Sequence, residues 1–130
     1  MRVRDIVVLA ALAMHLLPAS DAQAADCDAA RGEQVFVKCA ACHVADGSGT
    51  TLVGPDLHGV IGRKIASVAG FPYSPAMAAV SGDWSAEMLD RFIAAPMSLV
   101  PGTQMAFAGL RRPDDRRDLI CYLQSAGSGP

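Results

Sequence analysis

The chain has 130 residues, with 11 lysines and arginines against 13 aspartates and glutamates, for a formal net charge of −2. That balance excludes a nucleic-acid binder, which needs a basic face. Only one small domain fits this length, and at 5% aromatic residues its capacity to bury surface unaided is limited.

The first predicted element is an export signal. Met1-Arg2-Val3-Arg4 is a basic start, and Ile6 to Leu17 is a short apolar core broken only by His15. Ala22-Gln23-Ala24 is an A-x-A cleavage site. The apolar run falls short of the about 20 residues that a membrane span needs. An uncleaved anchor is the competing reading, and Pro18 with the small polar residues after it favours cleavage. Residues 1–24 are therefore read as a cleaved secretory signal peptide and 25–130 as the single domain. Of 130 residues 106 remain, and the formal charge stays at −2 because Arg2, Arg4, Asp5 and Asp21 cancel. His15 leaves with the signal and carries no chemistry. Asp26 ahead of Cys27 argues against a lipoprotein cysteine.

Asp28 to Lys38 is predicted to be a short helix that delivers Cys39. The five residues Cys39-Ala40-Ala41-Cys42-His43 then form a C-x-x-C-H run, the pattern of covalent haem attachment. Each residue type answers a chemical need. The two thiols add across the two vinyl groups of a haem, and the two-residue spacer matches the separation of those vinyls. The adjacent histidine lies under the ring, where its imidazole can bind iron. Two other chemistries use C-x-x-C. A thioredoxin-like site needs a βαβ context, and none follows. A structural zinc site wants a second ligand pair, whereas Cys27 and Cys121 are isolated. In bacteria haem is attached beyond the cytoplasmic membrane, so the motif and the export signal support each other and the expected compartment is the periplasm. A buried porphyrin would also supply apolar core that this sequence lacks.

Residues 44–73 are rich in glycine and proline and read as a long loop. Such a loop normally argues against an assignment, but a cofactor can fill the space. Three further helices are predicted. Ser74 to Val80 has serine at a cap and proline just inside it. Ser85 to Ala95 carries Glu87 in its first turn and an apolar face of Leu89, Phe92 and Ile93, and Pro96 stops it. Pro113 to Ala126 starts on proline, places Asp114 and Asp115 at the positive end of the dipole, and ends before Gly127. Leu119, Tyr122 and Leu123 form its apolar stripe. No strand pattern is convincing, so the fold class is all-α with much loop. There is one C-x-x-C-H and no internal repeat, which gives one haem in one domain.

His43 offers iron one axial ligand. The candidates for the other are His58, Met77, Met88, Met97 and Met105. Met88 lies on a helical face and reads as core packing. Met77 also falls in a short helix, and Met97 follows Pro96 in a turn. Met105 sits in Pro101-Gly102-Thr103-Gln104-Met105-Ala106-Phe107, where a Pro-Gly turn can project a side chain inward. His58, between Leu57 and Gly59, would give a bis-histidine haem or be an ordinary surface histidine.

Taken in order, these segments resemble the class I c-type cytochromes of the soluble mitochondrial and bacterial type. The matching runs are Gly32 to Phe36, Cys39 to His43, Gly54 to Gly59, Ile61 to Lys64, Gly70 to Ser74, Trp84, Pro101 to Phe107 and Asp118 to Leu123. They cover essentially all of residues 25–130. The resemblance implies a small cytochrome c fold of three to four helices and long loops around one haem c, bound through Cys39 and Cys42. It implies axial ligation by His43 and Met105. It also implies that the Pro55 carbonyl accepts a hydrogen bond from the His43 imidazole, and that Arg63, Tyr73 and Trp84 hold the inner haem propionate. Gly32 and Phe36 should meet Leu119 and Tyr122 where the first and last helices cross.

Departures from the family pattern are informative. Phe92 stands where a tyrosine hydroxyl usually contacts the methionine sulfur, and Met77 replaces a common asparagine near the propionate. Both remove polar groups beside the haem, which should alter the reduction potential and the methionine bond. Gln104, Met97 and Ser98 occupy positions where many relatives carry lysine. Lys38, Arg111 and Arg112 are what remains of the basic ring, so partner docking should depend less on salt. Cys27 and Cys121 are an even pair in an oxidising compartment, which favours a disulfide. The crossing of the first and last helices that the resemblance implies would bring them closer. Sequence does not set their distance, so two separate thiols remain open.

The resemblance thus implies a soluble, monomeric, non-enzymatic electron carrier, periplasmic and not membrane-inserted after cleavage. Its partners would be transient redox proteins: a membrane-bound oxidoreductase, an oxidase or a reaction centre. Two other readings stay open: a peroxidase-like or ligand-sensing haem protein with a labile Met105, and a fixed subunit of a larger redox complex.

Overall fold

The computed structural model describes residues 26–128. The expected export signal, its cleavage site and His15 lie outside the described residues. Five helices follow one another: α1 (Ala29–Phe36), α2 (Pro75–Ala78), α3 (Ala86–Ala94), α4 (Pro96–Leu99) and α5 (Pro113–Ala126). Among the described residues there is no named strand, only an isolated antiparallel bridge between Lys64 and Asp83. The all-α expectation holds, with 44–73 as a long connection. None of the helices is long and apolar enough to cross a membrane.

Local chemistry sets the helix ends. The Asp28 carboxylate accepts from the Arg31 N–H, Ser74 Oγ from the Met77 N–H, and Ser85 Oγ from the Met88 N–H. Each such cap is worth about 1 kcal/mol. α5 has no side-chain cap; Pro113 and the acidic Asp114 and Asp115 start it instead. α4 departs from the sequence expectation, which used Pro96 only as a stop. Proline lacks the N–H that the first turn of a helix does not need, so Pro96 ends α3 and also opens α4.

α1 and α5 cross closely. A Cβ on Gly32 would collide with the Asp118 carbonyl and Tyr122, so only glycine lets the backbones approach this far. Phe36 packs on Tyr122 with ring centroids 5.4 Å apart. As expected, Gly32 meets Tyr122 at this crossing, with the Asp118 backbone nearer still, while the buried Leu119 side chain lines the central cavity. Cys27 and Cys121 form a disulfide with Cα atoms 5.9 Å apart, which decides between the two readings left open by the sequence.

Charge surrounds this crossing. The buried Asp118 accepts from the Asp28 N–H and the Arg117 Nε, both at 3.1 Å, and Arg31 Nε lies 3.6 Å from its other oxygen. The Asp28 N–H and then the guanidiniums of Arg117 and Arg31 hold its carboxyl below the usual value, against the opposing effect of burial. Arg116 bridges α5 to α3 through Asp90 at 2.7 Å. Trp84 and Phe92 pack with their rings tilted and their centroids 5.1 Å apart within the core.

Candidate functional site

The chain does not straighten after α1. Cys39 N–H donates to the Phe36 carbonyl at 2.7 Å, Cys42 N–H to the Cys39 carbonyl at 3.0 Å, and His43 N–H to the Cys39 carbonyl at 2.9 Å. The segment therefore stays coiled through the C-x-x-C-H run. A coil places residues i, i+3 and i+4 on one side, and Cys39, Cys42 and His43 all line the same cavity. Both thiols are free. Burial pushes the Cys39 thiol up, against the opposing pull of Lys38.

His43 is held by the loop opposite. Its Nδ1 lies 2.8 Å from the Pro55 carbonyl oxygen. A carbonyl only accepts, so Nδ1 carries the proton and the Nε2 lone pair is left for another partner. Burial keeps the imidazole below its ordinary pKa, against the smaller effect of this bond, so the ring is neutral. Gly54 is needed beside it, because a Cβ there would overlap the imidazole.

The loop carrying Pro55 is itself pinned. Gly54 N–H donates to the Cys42 carbonyl and Leu57 N–H to the Val44 carbonyl, both at 2.8 Å. The buried Asp56 carboxylate accepts from the His58 and Gly49 N–H groups at 2.8 and 3.0 Å. Arg63 donates to the His58 and Asp56 carbonyls at 3.1 and 3.0 Å.

The cavity enclosed by these elements measures about 420 Å³, within the range of small-molecule sites. All eight residues singled out from the sequence line it: Cys39, Cys42, His43, Pro55, Arg63, Tyr73, Trp84 and Met105. Apolar side chains of α3 and α5, among them Phe92, Leu119 and Leu123, make much of the wall. Of the other ligand candidates, Met77 lines the cavity and is buried. Met88, Met97 and His58 do not line it. Met97 is exposed, and Met88 lies 3.5 Å from the Arg91 guanidinium. The His58 ring sits over Gly47 instead.

Two further residues escaped the sequence reading. Ser74 and Thr103 are buried on the cavity wall, and their hydroxyl oxygens accept from the Met77 and Met105 N–H groups. Tyr73 Oη likewise accepts from the Val68 N–H. Among the described residues no protein acceptor takes the O–H of these three or the indole N–H of Trp84. Four such donors on residues lining one cavity suit an acceptor-bearing group inside it. Ser74 had been accounted for as a helix cap, and Thr103 stood in a loop read only for its methionine.

This arrangement fits a flat apolar tetrapyrrole with carboxylate arms. Two thiols and a neutral imidazole share one wall, a glycine gives the ring of His43 room, thioethers stand elsewhere, and unclaimed donors suit the carboxylates.

Comparison with known proteins gives the same direction. The sequence model of the family described as Cytochrome c matches residues 29–127. A cytochrome c of Chlamydomonas reinhardtii is 44% identical over 100 residues, covering 76% of this chain and 89% of that one. The "cytochrome c-type cyt cy" of Rhodobacter capsulatus is 48% identical over 99 residues, covering 75% of this chain and 49% of that one. The solved structure of cytochrome cH from Methylobacterium extorquens superposes with a TM-score of 0.71 at 37% identity, over 75% of this chain and 98% of that one.

Proposed function

The chain belongs to the cytochrome c family and is a haem-bearing electron carrier with one covalently bound haem c, and from that premise we propose how its own residues serve the role. Cys39 and Cys42 would be the attachment thiols, His43 and Met105 would ligate the iron, and Arg63, Tyr73 and Trp84, joined by Ser74 and Thr103, would donate to the propionates. The observation that carries this is the convergence on one apolar cavity of both free thiols, an imidazole with Nδ1 committed to Pro55, and Met105.

Bound there, haem supplies reversible one-electron exchange at its iron. Pro55 keeps the proton on Nδ1, so His43 offers Nε2 in a fixed orientation. Met105 offers a neutral thioether, a ligand that raises the potential relative to stronger donors. Its backbone is fixed by Thr103 and by the Phe107 N–H, which donates to the Met105 carbonyl at 2.9 Å. Leu119, Leu123 and Phe92 would exclude water, while the hydroxyl, indole and guanidinium donors would meet carboxylates that are otherwise costly to bury. With His43 and Met105 both holding the iron, the haem would exchange electrons rather than bind a substrate. The protein's share is binding, orientation and tuning.

Residues 1–24 are taken as the export signal and the periplasm as the compartment, with a monomer meeting redox partners transiently. The test is a spectroelectrochemical titration of holoprotein made with a haem-attachment system. A six-coordinate haem c that cycles reversibly supports the proposal. Rapid CO binding by untreated ferrous protein would favour a ligand-binding role instead.

A further inference from the structure

The four cysteines of this chain meet two different fates. Cys27 and Cys121 are joined, while Cys39 and Cys42 keep free thiols on the cavity wall. An oxidant meeting the unfolded chain would not select that pair. Cys27 and Cys121 stand 94 positions apart, whereas Cys39 follows Cys27 by only 12. Loop closure alone favours the nearer partner about twentyfold, and Cys39 and Cys42 are closer together still. Cys121 is also the last of the four in the chain. The other three therefore reach an oxidising compartment before it does.

The fold reverses this preference. The 8 residues of α1 stand between Cys27 and Cys39, and about 12 Å of helix keeps the two apart. The crossing of α1 and α5 instead sets the Cα atoms of Cys27 and Cys121 at 5.9 Å. That crossing leans on the cavity, because α5 also supplies Leu119 and Leu123 to its wall. A domain this small does not leave about 420 Å³ at its centre unfilled. The Arg31–Asp115 pair across the two helices is exposed on its arginine side and holds little alone. The approach of Cys27 to Cys121 is thereby coupled to haem binding. Cys27 stays exposed in the folded protein, so an oxidant still reaches it once the haem is in place.

Resting on the reading of Cys39 and Cys42 as the attachment thiols, we propose that maturation of this chain is ordered: the thioethers form first, and the Cys27–Cys121 disulfide closes on the haem-bearing chain. In the first step each thiol adds across a vinyl double bond, sulfur to one carbon and hydrogen to the other, with no outside oxidant. Cys39 and Cys42 are thereby withdrawn from thiol chemistry, and Cys27 is left with a single partner. In the second step the Cys27 and Cys121 thiols give up two protons and two electrons. A disulfide-bearing oxidant accepts both and becomes a dithiol. The bond is a late lock on loaded protein and not a scaffold for loading it.

The test follows the full-length chain in cells that supply a haem-attachment system. Newly made chain is pulse-labelled and quenched in acid at intervals, and its thiols are capped with a maleimide of known mass. Haem staining separates loaded from unloaded chains, and peptide masses assign the disulfides. The expected transient carries haem and two cappable thiols, Cys27 and Cys121, and chases into a species with none. In cells without the attachment system, fewer than about one chain in ten should hold the Cys27–Cys121 bond. Cys27→Ser with Cys121→Ser should take up haem at the wild-type initial rate, whatever its later stability. A haem-free chain with Cys27–Cys121 closed that chases into holoprotein would overturn the order. A slowed initial uptake by the double serine variant would overturn it too, because the bond would then be a scaffold. A wild-type chain that gains no haem from a working attachment system would instead remove the attachment reading beneath it.

Discussion

Replacing Cys27 and Cys121 by serine should weaken this protein more than any single surface change. The disulfide joins residues 94 apart in sequence. In the chain-entropy account, closing a loop of that size removes about 4.7 kcal/mol of freedom from the unfolded ensemble at 25 °C. Some of that is lost to residual structure in the unfolded chain, so about 3–5 kcal/mol is expected. For a domain of this size each kcal/mol moves Tm by about 4–8 °C, giving a fall of roughly 20 °C. The assay is guanidinium unfolding of ferric holoprotein, wild type beside the double variant. A thiol titration of denatured holoprotein accompanies it. With Cys39 and Cys42 in thioethers, no thiol should react before reduction and two should react after it. A loss below about 1 kcal/mol, or free thiols before reduction, would refute the reasoning.

Other perturbations probe the site and its supports. Gly54→Ala forces a Cβ into the His43 imidazole, so it should cost about 1–3 kcal/mol and shift the reduction potential; an unmoved potential and guanidinium midpoint would contradict the placement. Phe92→Tyr adds a hydroxyl to a buried apolar wall; a redox titration showing no shift would count against the departure at this position affecting the haem. Asp118 has a depressed folded pKa, so its stabilisation is complete above the unfolded value of about 3.9 and fades as pH falls through the lower folded value. The Tm gap between wild type and Asp118→Asn should therefore be widest near neutrality and close in acid; a gap constant with pH would contradict this.

What could be read from the sequence, and what could not, divides by the range of the cause. α5 was legible to the residue because Pro113, Asp114, Asp115 and Gly127 act within one turn of its ends. The C-x-x-C-H chemistry was legible because spacing alone carries it. α4 was missed because one proline served two helices. The disulfide was undecidable because its formation depends on a distance between helices far apart in the chain. Gly32 was placed at the right crossing and against Tyr122, but its closest approach, to the Asp118 carbonyl, was not legible, since helix rotation at a crossing is set by packing. Ser74 stayed hidden because its role as a helix cap already accounted for it, and Thr103 because its loop was read only for Met105. Only the cavity shows that each hydroxyl has a proton left to donate.

The central claim is that His43 and Met105 grip the haem from opposite elements of the fold, while Met77, the other cavity methionine, packs beside it. The ferric spectra of Met105→Ala and Met77→Ala holoproteins test this most directly, through the sulfur-to-iron charge-transfer band. That band should vanish in Met105→Ala and persist in Met77→Ala. A band that survives the loss of Met105, or disappears with Met77, would contradict the ligand assignment.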